Sequence, residues 1–297
     1  MIRFLLPFLL IAVTSAHAAA PRVLTSIRPL QLIANDLMQG VGEADVLLDS
    51  RQSPHHFQLR PSQLEKLQRT DLLIWISDDF ETGLARLGNS LPAGASRLQL
   101  LPLLHPEDAH EDTPSEQGDV EGDDHEHAHE GNAHLWLSPR DDIRIAGIIA
   151  KRLSRLDPDH AGDYARNRAR LVQRLEDWQN TTRARLQQAR LRYLLDHPFL
   201  GGFEQDLGIR AIGSLAGANA REGSLRRLRQ LTRQLRQTPA RCLFSAEWPA
   251  DRLSRQLARQ FGLKLIWLPV LDPDRRAASI VDLLDDIARR MLDCAKA

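Results

Sequence analysis

The sequence is poor in cysteine, in aromatic side chains and in long apolar runs, and each shortage removes a class of protein from consideration. The longest apolar stretch near the start, residues 4–13, is about half the roughly twenty residues a membrane span needs. With Arg3 before it and the small residues Ser15-Ala16-His17-Ala18-Ala19-Ala20 after it, the stretch reads as a secretory signal peptide over residues 1–20. No cysteine stands at the cleavage region, so a lipid anchor is not expected there. The mature chain is therefore expected to be soluble and exported, that is, periplasmic. Only two cysteines exist, Cys242 and Cys294. Their spacing fits neither a zinc ribbon nor a CxxC redox pair, and an even count in an exported chain favours a disulfide. Aromatics make up 5% of the chain, and 39 Lys+Arg balance 39 Asp+Glu. With the arginines spread along helical segments and no aromatic platform beside them, nucleic acid is not an expected partner.

The neutral total hides an asymmetry. Residues 1–140 carry 10 Lys+Arg against 20 Asp+Glu, and residues 141–297 carry 29 against 19. Most of the imbalance comes from residues 105–130, which lack Lys and Arg and hold five histidines and eleven carboxylates. This segment shows no apolar periodicity, so it cannot bury enough surface to offset its ordering entropy, and a disordered loop is expected.

Elsewhere strands and helices alternate, the pattern of parallel α/β sheets. Strands are expected over 22–27, 44–49, 71–77, 192–195, 241–245 and 263–270. Helices are expected over 29–38, 139–156, 199–207, 224–237, 252–261 and 277–294. Another should start at Ser62, where Ser62-Gln63-Leu64-Glu65 has the form of a capping box. A long charged helix over 158–190 could run the length of the molecule. The expected organisation is an N-terminal lobe over 21–156, a linking helix over 157–190 and a C-terminal lobe over 191–297.

Four positions draw chemical interest. His55 follows the second strand, His134 opens an apolar run, and His197 and Asp272 follow strands of the second lobe. Ligands bind at this edge of open parallel sheets. Three imidazoles and a carboxylate form a good Zn²⁺ set, with borderline-soft nitrogens and one hard oxygen in four-coordinate geometry. His56 could take the place of His55, and Asp272 could instead cap a turn. His105, His110, His125, His127 and His129 are accessory metal ligands by the same chemistry, and the carboxylates around them would raise the local Zn²⁺ concentration.

At these residues the chain resembles the zinc-specific solute-binding proteins of ABC importers, the ZnuA type of the metal-binding cluster A-I family. The resemblance spans essentially the whole mature chain. It is carried by Ser53-Pro-His-His-Phe-Gln-Leu-Arg-Pro-Ser62, Asn132-Ala-His-Leu-Trp-Leu-Ser-Pro139, Asp196-His197 with Phe203-Glu204, and Leu271-Asp272-Pro273. It implies two α/β lobes joined by one long rigid helix, with little hinge closure. It also implies His55, His134 and His197 as ligands, Asp272 as the fourth or behind a water, and a disulfide between Cys242 and Cys294. The implied partners are the zinc ion and a membrane permease, and the implied state is a monomer. Pro198 and Asp272-Pro-Asp-Arg275 depart from the family's usual residues. Two other readings compete with transport. One is a periplasmic zinc buffer or adhesin. The other is a zinc hydrolase with Glu247 as its base, although no HExxH motif is present.

Overall fold

The computed structural model of the protein describes residues 19–55, 57–85, 91–106, 133–216 and 225–296. Residues 1–18, His56 and residues 107–132 lie outside this set, and with them most of the expected signal peptide and the expected disorder of the histidine-rich loop.

Two parallel four-stranded sheets carry the fold. The first contains β1 (Val23–Thr25), β2 (Asp45–Val46), β3 (Leu72–Trp75) and β4 (Ser96–Gln99), in the order β2-β1-β3-β4. The second contains β5 (Tyr193–Leu195), β6 (Gly213–Ser214), β7 (Cys242–Ser245) and β8 (Lys264–Trp267), in the equivalent order β6-β5-β7-β8. Register places Val23, Leu24 and Thr25 opposite Leu72, Leu73 and Ile74, and Tyr193, Leu194 and Leu195 opposite Cys242, Leu243 and Phe244.

Successive strand residues point to opposite faces, and here both faces are buried. Leu73 and Trp75 pack under one outer layer with Leu24 and Leu67. Leu194 and Leu243 pack under another with Leu231 and Leu257. The alternate residues Val23, Leu72, Ile74, Tyr193, Leu195 and Phe244 share one central core that runs through both lobes.

Helices fill this centre and flank the outer faces of the sheets. α1 is Arg28–Met38 and α2 is Pro61–Gln68. The expected start of α2 at Ser62 is one residue late. Pro61 takes the first helical position, and the Gln63 side chain, not that of Glu65, reaches back to accept from Arg60 N at 2.8 Å. After the short α3 (Leu101–Leu104), Ser138 Oγ accepts from Asp141 N at 3.1 Å and opens α4 (Pro139–Leu156). The long segment begins with a 3₁₀ turn, Pro158–His160, and continues as α5 (Ala161–Ala189), 29 residues and so roughly 43 Å long. It packs against α1 and α4 of the first lobe and against α6 (Gly201–Leu207) and α9 (Ile280–Ala295) of the second. α7 (Leu225–Gln237) and α8 (Arg252–Phe261) cover the outer face of the second sheet. Cys242 of β7 and Cys294 of α9 form the disulfide, pinning that last helix to its sheet. Among the described residues no helix is long and apolar enough to cross a membrane.

Candidate metal centre

A cleft of about 610 Å³ opens between the C-terminal edges of the two sheets. Chain geometry alone delivers the histidines there. His55 lies on the loop that leaves β2, His197 lies two residues beyond β5, and His134 caps a 3₁₀ turn, Leu135–Leu137, just ahead of α4. All three line the cleft. His134 is central and 9% exposed, with its ring centre 6.1 Å from that of His55 and 5.6 Å from that of His197. Imidazoles sharing one tetrahedral Zn²⁺, each bonded at about 2.0–2.1 Å, have ring centres roughly 5 Å apart. The rings are therefore close to a ligating arrangement without having reached it. Among the described residues no three His, Cys, Asp or Glu side chains are already gathered to hold a metal ion.

Aromatic rings hold this triad in place. Phe80 stands edge-on to His55 at 4.5 Å and to His134 at 5.5 Å. Trp136 lies 5.2 Å from His134, and Phe199 lies 5.0 Å from His197. The Trp136 indole donates to Val270 O at 2.7 Å, so the turn bearing His134 is bonded across to the other lobe. Thr82 Oγ1 donates to His55 O at 2.8 Å. Next to Phe80, the buried Glu81 carboxylate accepts from Ser26 Oγ at 2.5 Å, Ser77 N at 3.0 Å and Ile76 N at 3.1 Å, tying the ends of β1 and β3 to this turn. Burial pushes the Glu81 carboxyl up to about 7, against the downward pull of those donors.

Asp272 is placed differently. It is 5% exposed and sits at φ +48° in the turn after β8. Its Oδ1 accepts from Arg276 N at 2.8 Å, and its Oδ2 is 3.3 Å from Ala277 N and 3.4 Å from the Arg28 guanidinium. Arg28 opens α1 of the other lobe and also donates to Ala277 O at 3.1 Å. Leu271, Pro273 and Asp274 line the cleft, whereas Asp272 does not. The structure thus brings three of the four expected residues together and engages the fourth in an interlobe ion pair. Glu247 borders the cleft and is exposed. His105 ends α3 with Nε2 3.3 Å from Asp141 Oδ2, while His110, His125, His127 and His129 fall outside the described residues.

Sequence reasoning passed over Phe80, Trp136 and Arg28. The first two could have been found as aromatics within a few residues of a strand end or a candidate ligand. Arg28 carries no such signal.

Comparison with known proteins bears on the family and the fold. The high-affinity zinc uptake system protein ZnuA of Yersinia pestis is 28% identical over 94% of this chain and 93% of its own length. The protein of the same name from Haemophilus ducreyi is 30% identical over 82% of each chain. A solved ZnuA structure superposes with a TM-score of 0.73 at 23% identity, over 93% of this chain and 99% of its own, which establishes the fold. The profile of the zinc-uptake complex component A family, periplasmic (ZnuA), matches residues 23–294, and the chain belongs to that family.

Proposed function

We propose that this protein captures Zn²⁺ between its lobes, with His55, His134 and His197 as ligands, and delivers the ion to the membrane permease of an ABC importer. The observation that carries this reading is the convergence of three imidazoles from three loops and both lobes on one aromatic-walled cleft. An all-nitrogen set suits Zn²⁺ better than the harder Mn²⁺. The fourth position falls to water, because the oxygens of Asp272 are already engaged by Arg28 and two backbone amides. Zinc draws the His55 loop inward by about the ångström that separates the observed ring spacing from a ligating one. The protein acts in the periplasm as a monomer once residues 1–20 are removed. The ligands lie on separate loops without an HExxH helix, which supports capture over hydrolysis.

A competitive titration of the metal-stripped mature protein, made without a polyhistidine tag, tests this with Zn²⁺ and Mn²⁺. The wild type should show one tight zinc site and weak manganese binding. His197→Ala should lose more than the roughly 10–100-fold that removing an outer-shell partner costs. Asp272→Asn should stay within about 1 kcal/mol, or about fivefold, of wild type. Tight zinc binding that survives His197→Ala would remove the cleft from consideration and favour the histidine-rich loop.

A further inference from the structure

Asp196 directly precedes His197 and is 7% exposed. Its Oδ1 lies 2.8 Å from His197 Nδ1 and accepts from His197 N at 2.6 Å. Its Oδ2 accepts from Ser245 Oγ at 2.6 Å and from Ala246 N at 3.1 Å. Ser245 ends β7, the strand next to β5, so the carboxylate is fixed by the neighbouring strand as well as by its own. Of the other acids near the cleft, Asp272 has its charge opposed by Arg28, Asp274 lies 3.8 Å from Arg51 and 3.6 Å from Arg276, and Glu247 is exposed.

We propose that Asp196 is the positioning residue for zinc, holding the proton of His197 on Nδ1 so that the unprotonated Nε2 is the nitrogen offered to the metal. The proposal rests on the cleft being the zinc site. A neutral imidazole carries one N–H, and the nitrogen that donates to a carboxylate leaves the other to bind metal. The carboxylate also makes the ring a stronger donor and places a negative charge behind a ligand set that otherwise has none. An asparagine could not reproduce this. Its single oxygen can face either His197 or Ala246 N, and its NH₂ group then confronts an N–H on the other side.

Two readouts test the proposal on the full mature protein. In zinc-free protein labelled with ¹⁵N-histidine at pH 8, the His197 ring should appear as the Nδ1–H tautomer, assigned by its absence in His197→Ala. Asp196→Asn should raise the Nε2–H population and weaken Zn²⁺ binding about 10–100-fold. Ser245→Ala, which removes one anchor of the carboxylate, should move both readouts the same way by less, and it serves if Asp196→Asn does not fold. A wild-type ring already in the Nε2–H form overturns the proposal. So does zinc affinity within twofold of wild type in Asp196→Asn, or weakened affinity with no change of tautomer. The tautomer readout needs no metal, so indifference of zinc binding to His197→Ala would defeat the cleft site without touching that result.

Discussion

Asp142 is fully buried in the first turns of α4, and neither of its carboxylate oxygens has a hydrogen-bond partner among the described residues. Burial, followed by the charges of Asp141, Asp206 and Asp36, pushes its carboxyl well above the ordinary range. The native state therefore holds a proton that the unfolded chain releases near pH 4. Between that value and the raised native one, folding binds more protons than unfolding does, so the contribution of Asp142 falls as pH rises. Asp142→Asn, a neutral isostere, should match wild type in thermal midpoint at pH 4 and exceed it by a few degrees at pH 8. Scanning calorimetry at the two pH values checks the sign; equal midpoints at both would show that the carboxyl is not held protonated. At this scale the sequence was partly legible. A histidine beyond a strand end, as His55 and His197 are, advertises itself, and the rings of both lie near that of His134 in the cleft. Asp272 has the same surroundings in sequence, yet a positive φ and a partner 244 residues away govern its surroundings, and no local pattern reports either.

The elements divide along similar lines. β1, β3, β5 and β7 lie at the centres of their sheets and are apolar on both faces, so their positions could be read directly. β4, Ser96-Arg-Leu-Gln, and β6, Gly213-Ser214, are edge strands whose residues are polar or too few to show a period, and neither was anticipated. Strand order depends on which edges pair and not on any one segment. A contact between elements carries the next prediction. Gly202 in α6 packs so closely on Ser138 that a Cβ there would lie 2.8 Å from the Ser138 Cβ. Ser138 ends the 3₁₀ turn that carries His134 and Trp136. Gly202→Ala should therefore cost about 1–3 kcal/mol by overpacking and weaken zinc binding through displacement of that turn. Denaturant unfolding and zinc titration of the same variant measure the two effects. A stability loss with unchanged affinity would mean that the turn moves independently of α6.

The whole molecule separates a precise site from a segment of very different chemistry. His105 is tied to Asp141, so a deletion that spares it can remove the acidic stretch without disturbing α4. Removal of residues 107–130 should leave the tight site at one equivalent and abolish weaker additional zinc equivalents; unchanged total stoichiometry in calorimetric titration would deny that stretch a metal-binding role. The two lobes, for their part, share one apolar core and are crossed by Trp136 to Val270, Arg28 to Asp272 and Ala277, and Arg174 to both Asp36 and Ser279. Parting them would expose that core at about 25 cal/mol per Å² of apolar area. With His55, His134 and His197 as the proposed ligands, cargo is expected to leave not by a wide swing of one half away from the other but by loops at the rim, above all the one bearing His55, peeling back. Spin labels on the outer faces of the two lobes should report one narrow distance distribution, superimposable with and without zinc, while hydrogen exchange at residues 50–55 slows when the ion is bound. Under the proposed three-histidine site, a permease that receives zinc from such a carrier would work as a wedge on one loop, prising out a ligand, and not as a lever on two halves.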